Sequence, residues 1–199
     1  MKKDGRNDFI QYTTLLHAKN NAAVSGDAFS IVLTDDSFVA VLVDGLGSGI
    51  EANVSAKIVT EELERDPTCG LDDILQRSNA RMLGKRGAVA AVIRIRFQQQ
   101  IIEFSSIGNI TCKIFRQLPK KIIYPRRTVG YLSGVEQGFF IQAVEYYSGD
   151  SFILHTDGIE IIEAGTLFSE EEFIKFQYGQ STNLKLQNDD ASFIAGRLF

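Results

Sequence analysis

Apolar and polar residues alternate along much of this chain, and the first expectation from that pattern is strand. Phe9 to Leu16 is the earliest such run. Ala28 to Leu33 and Phe38 to Val43 flank the polar cluster Thr34-Asp35-Asp36-Ser37 and read as a hairpin. Val89, Ala91, Ile93, Ile95 and Phe97 alternate with Arg94 and Arg96, the period of a strand buried on one face. After Gln98-Gln99-Gln100 come Ile101 to Ser106 and Ile110 to Phe115, split by Gly108-Asn109. Phe139 to Tyr146 and Ser151 to Thr156 read as another pair around Ser148-Gly149-Asp150, and Ala191 to Leu198 as a last strand. Turns this closely spaced imply antiparallel sheets rather than a doubly wound parallel one.

Helical spacing is confined to a few segments. From Ile50 to Glu64, Val54, Ile58, Val59 and Leu63 form one apolar stripe, and from Leu71 to Leu83, Ile74, Leu75, Ser78, Met82 and Leu83 do the same. Asp66-Pro67 and Cys69-Gly70 separate the two. Phe168 to Tyr178 is a shorter third candidate, with Ser169 placed to cap it ahead of Glu170, Glu171 and Glu172. Many strands and a helix pair predict a sheet sandwich covered by helices.

Composition narrows the chemistry more than the fold. The 199 residues, with no repeat and no stiff linker, suit a single domain over 1–199. A net charge of −4 argues against nucleic acid or an anionic membrane as partner, since both demand a cationic footprint. No apolar run approaches membrane-span length, and the polar N-terminus lacks the apolar core of a signal peptide, so a cytoplasmic location is expected. Cys69 and Cys112 are too few for a disulfide framework, and His17 and His155 too few for histidine-rich zinc chemistry. The residue left to carry chemistry is aspartate.

Aspartates stand at strand ends in Ser25-Gly26-Asp27, Val43-Asp44-Gly45, Thr156-Asp157-Gly158 and Asn188-Asp189-Asp190. Any one of them is an ordinary turn signal. As a set they place carboxylates in one cleft if their strands lie side by side. Clustered carboxylates stay ionised only where a cation neutralises them, and oxygen donors suit Mg²⁺ or Mn²⁺. Two such ions about 3.5–4 Å apart can clamp a phosphoryl group and acidify a water. The loop Gly45-Leu46-Gly47-Ser48-Gly49 could instead cradle a nucleotide phosphate at a helix N-terminus, although Ile50 stands where a dinucleotide fingerprint needs its third glycine.

In order and spacing, Ser25-Gly26-Asp27-Ala28-Phe29, Val43-Asp44-Gly45-Leu46-Gly47-Ser48-Gly49, Ser106-Ile107-Gly108-Asn109, His155-Thr156-Asp157-Gly158 and Asp189-Asp190-Ala191-Ser192 resemble the PPM family of metal-dependent protein serine/threonine phosphatases, in its short SpoIIE-like bacterial branch. The resemblance spans nearly the whole chain. It implies an α+β fold, a four-layer α/β/β/α sandwich of two antiparallel sheets flanked by helix pairs, with two Mn²⁺ or Mg²⁺ ions at one end. It implies Asp44 bridging both ions, the Gly45 carbonyl on one of them, Asp157 and Asp189 on the other, and Asp27 acting through water. Asp44 and Asp157 are then the catalytic pair, and Asp190 is the alternative to Asp189. Implied substrates are phosphorylated stressosome proteins, RsbS- and RsbR-like, in negative feedback on the general stress response. Leu46 and Asn109 depart from the family pattern, which puts the general acid and a third metal in question. His155 is the nearby candidate acid, and no phosphate-gripping arginine can be placed, Arg6 being remote from every motif. A fold retained only for binding partners is the competing reading. Lys113, Arg116, Lys120, Lys121, Arg126 and Arg127 form a basic island that reads either as a solvated hairpin or as a steering patch.

Overall fold

The computed structural model describes residues 1–162, 169–181 and 184–199. Strands β1 (Asp4–Arg6), β2 (Ile10–His17), β7 (Thr111–Arg116), β8 (Lys121–Ile123), β10 (Ser151–His155) and β13 (Ala191–Leu198) form one antiparallel sheet in the order β1-β2-β13-β10-β7-β8. Strands β3 (Asp27–Leu33), β4 (Ser37–Gly45), β5 (Ala88–Arg96), β6 (Ile101–Ile107) and β9 (Gln142–Glu145) form the second, in the order β3-β4-β5-β6-β9. A small ribbon pairs β11 (Ile159–Ile161) with β12 (Leu184–Leu186).

The two sheets pack face to face over Leu42, Ala91, Ile93, Phe104, Ile114, Leu154 and Ile194. Helices α1 (Ile50–Arg65) and α2 (Leu71–Ala80) cover the outer face of the second sheet through Val59, Leu63, Ile74 and Leu75. Helix α3 (Glu170–Gln177) covers the first sheet with Phe173 and Phe176, and Ser169 caps it by accepting from the Glu172 amide. This is the expected four-layer sandwich, with a helix pair on one side and, among the described residues, one helix on the other. Phe168, the expected start of α3, lies outside the described residues. No described helix is long and apolar enough to cross a membrane, and both cysteines are free thiols.

The sandwich has two unlike ends. Tyr12, Phe38 and Phe152 pack as tilted rings with centroids 5.3 and 5.9 Å apart, and Phe9 stacks on Phe97 at 4.8 Å, near the ends of β4 and β10 away from Asp44 and Asp157. The aspartates occupy the opposite end.

Several local expectations are corrected. Ser148-Gly149-Asp150 does not close a hairpin: β9 pairs with β6 in the second sheet, whereas β10 pairs with β7 and β13 in the first. The buried Asp150 carboxylate makes this corner by accepting from the amides of Gln117 (2.9 Å) and Tyr147 (3.1 Å) and from Arg116 Nε (3.4 Å). The expected strand Phe139–Tyr146 shortens to β9. Strand β5 is buried on both faces, because its polar-looking face lies under the helices, where Arg94 donates to the carbonyls of Pro67 and Cys69. The buried stripe of α1 runs through Ala52, Ala56, Val59 and Leu63, leaving Val54 exposed, and Leu83 lies exposed beyond the end of α2.

Candidate metal centre

Antiparallel pairing of β3 with β4 sets Asp27 directly opposite Asp44, so two carboxylates from distant sequence meet at one strand end. Asp27 is buried. Its Oδ2 accepts from Ser192 Oγ at 2.6 Å and Thr156 Oγ1 at 2.9 Å, while its buried Oδ1 has no partner among the described residues. Both hydroxyls belong to the other sheet, and the Thr156 hydroxyl in turn accepts from the Ser192 amide. Burial, opposed by those two hydrogen bonds and reinforced by the charges of Asp190 and Asp157, raises the Asp27 carboxyl to about 7. Burial and then the charges of Asp27, Asp157, Asp189 and Asp190 raise Asp44 to about 8.

The first sheet contributes the other acids. Asp157 follows β10, is exposed, and accepts from Asn109 Nδ2 at 3.0 Å. Asp189 and Asp190 precede β13 and have different surroundings. Asp190 is buried with both oxygens used: Oδ1 accepts from the Lys19 amide and Ser25 Oγ, and Oδ2 from the Gly26 amide at 2.9 Å. It thereby positions the backbone that leads into Asp27. Asp189 is exposed, accepts from the Asp190 amide, and pairs with Lys19 Nζ at 3.3 Å. Asp27, Asp44, Asp157, Asp189 and Asp190 all line one cavity of about 1060 Å³ between the sheet ends. Among the described residues no three of these side chains stand together closely enough to hold a metal ion as they lie. Carboxylates without a countercharge repel one another.

Two glycines serve packing at this end. A Cβ on Gly45 would lie 2.0 Å from the Ala52 carbonyl oxygen of α1, and one on Gly158 would lie 2.0 Å from that of Asp190. Leu46, one of the two departures from the family pattern, lines the cavity. His155 does not reach the cavity wall: its ring is buried, Nδ1 lies 3.0 Å from the Thr156 carbonyl, and burial lowers its pKa. The basic island divides. Arg116 is spent on Asp150 and the Tyr147 ring, whereas Arg126 and Arg127 line the cavity. Arg6 sits over the Phe199 ring, away from the cleft. Thr156, Ser192 and Ser25 lie within the aspartate motifs, and a hydroxyl beside a strand-end aspartate is the one signal in the sequence for the hydrogen bonds they make here. Nothing in the pattern around Lys19 marked it.

The family described as Stage II sporulation protein E (SpoIIE) matches residues 34–195. The chain belongs to the SpoIIE family. It is 30% identical over 196 residues to the phosphoserine phosphatase RsbX of Bacillus subtilis (strain 168), covering 96% of either chain. The crystal structure of RsbX in complex with magnesium matches with a TM-score of 0.90 at 30% identity, over 100% of both chains. A second structure, from work on the bacterial stressosome as a modular system, matches with a TM-score of 0.82 at 28% identity, over 94% of this chain and 99% of that one. SpoIIE-family membership accounts for the order of the aspartate motifs and the sandwich that brings them together.

Proposed function

We propose that this protein is a Mn²⁺- or Mg²⁺-dependent phosphatase that hydrolyses phosphoserine and phosphothreonine on proteins of bacterial stress signalling, and that it acts as a feedback regulator of that response. The observation that carries this reading is the pairing of Asp27 with Asp44 at the cleft, where Asp27 keeps a buried oxygen without a partner among the described residues. RsbX, a phosphoserine phosphatase crystallised with magnesium, supports it. The stressosome-related neighbour supports the choice of substrate, for which RsbS- and RsbR-like scaffold proteins are the proposed class.

The donor set fits hard divalent cations, since it consists of oxygens and, apart from the Asp189–Lys19 pair, its carboxylates have no basic partner among the described residues. Asp44, Asp157, Asp189 and the Gly45 carbonyl would hold the two ions, with Asp27 acting on them less directly. Bound there, the ions supply Lewis acidity, which acidifies water and neutralises phosphoryl charge. The chain's own part is orientation. Ser192 and Thr156 fix Asp27, Asn109 fixes Asp157, and Asp190 fixes the turn before β3. Hydrolysis proceeds by direct attack of water on phosphorus, in keeping with a described cavity wall that contains no cysteine or histidine. With the apolar Leu46 beside Asp44-Gly45 and His155 buried away from the cavity, the leaving oxygen takes its proton from solvent.

Phosphate release from p-nitrophenyl phosphate and from a phosphoserine peptide tests this. Activity is expected with Mn²⁺, none with EDTA, and a loss of about 100-fold or more in Asp44→Asn with the circular dichroism spectrum retained. Wild-type turnover in Asp44→Asn, or partner binding with no phosphate release at saturating Mn²⁺, would defeat the reading, the latter in favour of a binding module.

A further inference from the structure

Besides the aspartates, the cavity wall includes Arg126 to Tyr131 and Phe140, part of the segment that links β8 to β9 and so crosses from one sheet to the other. Its backbone is anchored at several points. Arg126 donates its amide to Gln142 Oε1 (2.8 Å) and accepts from Gln142 Nε2 at its carbonyl (2.7 Å). Thr128 bonds Ser106 and Gly108, and Leu132 exchanges both hydrogen bonds with Ala88. Asn79 Oδ1 accepts from the amides of Ser133 and Gly134. The side chains on this anchored strip are nonetheless unspent. Among the described residues neither Arg126 nor Arg127 has a carboxylate partner; the Arg127 guanidinium donates only to the Asn109 carbonyl, at 2.9 Å. Val129 is 94% exposed, and Tyr131 and Phe140 are exposed beside it. Unpaired guanidinium groups interleaved with exposed apolar side chains on a fixed backbone have the make-up of a recognition surface. The cavity is also far larger than one phosphoryl group requires.

We infer that this strip is a substrate-reading lip: Arg126 and Arg127 receive an acidic side chain next to the phosphoserine, and Val129, Tyr131 and Phe140 receive an apolar one. The inference rests on the phosphatase reading of the cleft and adds a sequence preference to it. Charge complementarity chooses the occupant. The acids at the cleft floor are assigned to cations, which leaves the arginines as the positive wall facing an incoming chain.

The test uses phosphoserine peptides that differ only in Glu, Gln or Lys at each of the two positions on either side, with the full chain in Mn²⁺. Wild type is expected to favour one or more Glu peptides by roughly tenfold in kcat/KM, carried by KM. Arg126→Gln with Arg127→Gln should bring that ratio close to one, and Arg126→Glu should turn it toward Lys. Arg126→Gln alone keeps the Arg127–Asn109 bond and serves if the double variant misfolds. A wild-type ratio of one, or a ratio unchanged in the variants, overturns the inference. Fluorescence anisotropy in Mn²⁺ with the same peptides carrying serine in place of phosphoserine reads the same preference without turnover. A wild type that releases no phosphate from any peptide therefore sinks the phosphatase reading while the lip is still judged by binding.

Discussion

Asp27 is an acid held by hydroxyls rather than by a basic residue. Ser192 and Thr156 both donate to one oxygen, and the other has no partner among the described residues, so the carboxylate is oriented but not neutralised. Such groups behind a metal ligand set its direction and basicity, and losing one typically costs ten- to a hundredfold in metal affinity. Ser192→Ala or Thr156→Val should therefore weaken Mn²⁺ binding by about 10-fold or more, read by calorimetric titration, with phosphate release at saturating Mn²⁺ reduced less. An affinity equal to wild type would remove Asp27 from the proposed ligand set. At this scale the sequence was half legible. Each aspartate stood out through its place at a strand end. The hydroxyls that orient Asp27 lie more than a hundred residues away, and only the folded pairing of the sheets brings them near.

At the scale of elements, the site depends on how closely α1 docks behind β4. Gly45 ends that strand, and the α1 backbone at Ala52 occupies the space a side chain would need. Gly45→Ala forces the helix and the strand end apart, at a cost of about 1–3 kcal/mol. Chemical denaturation should show a lower midpoint, together with weaker Mn²⁺ binding because Asp44 is the adjoining residue; a midpoint equal to wild type would contradict the tight docking. Strand and helix positions were largely readable from periodicity. The partners of each strand were not. Alternation reports that a face is buried without saying against what, which is why the segments around Ser148-Gly149-Asp150 read as a hairpin when they belong to different sheets. The double burial of β5 was hidden in the same way, since Arg94 looks solvent-facing until the carbonyls of Pro67 and Cys69 are found around it.

For the whole molecule, the cleft makes stability depend on pH and on metal. Burial first and neighbouring charges next hold Asp27 near 7 and Asp44 near 8, whereas both would be ionised in an unfolded chain above about pH 4. Between those limits the folded chain binds protons that the unfolded chain has released, so the metal-free protein loses stability progressively as pH rises from about 4 to about 8. Divalent cations neutralise the same charges, and their stabilising effect grows over that window. Thermal melts in EDTA should fall by about 4 °C between pH 6 and 9, melts in Mn²⁺ should stay level, and Asp44→Asn should flatten the metal-free slope. A slope unaffected by that substitution would assign the pH dependence to other groups.

The contrast between the aromatic and acidic ends has a mechanical consequence. Where Phe38, Tyr12 and Phe152 interlock, the layers are joined by contacts that need no cofactor. At the far rim, Asp27 and Asp44 hang from one layer and Asp157 and Asp189 from the other, so under the proposed ligation the cations are rivets through the mouth of a jaw whose hinge is greasy and always shut. Withdrawing them loosens the lips and leaves the hinge intact.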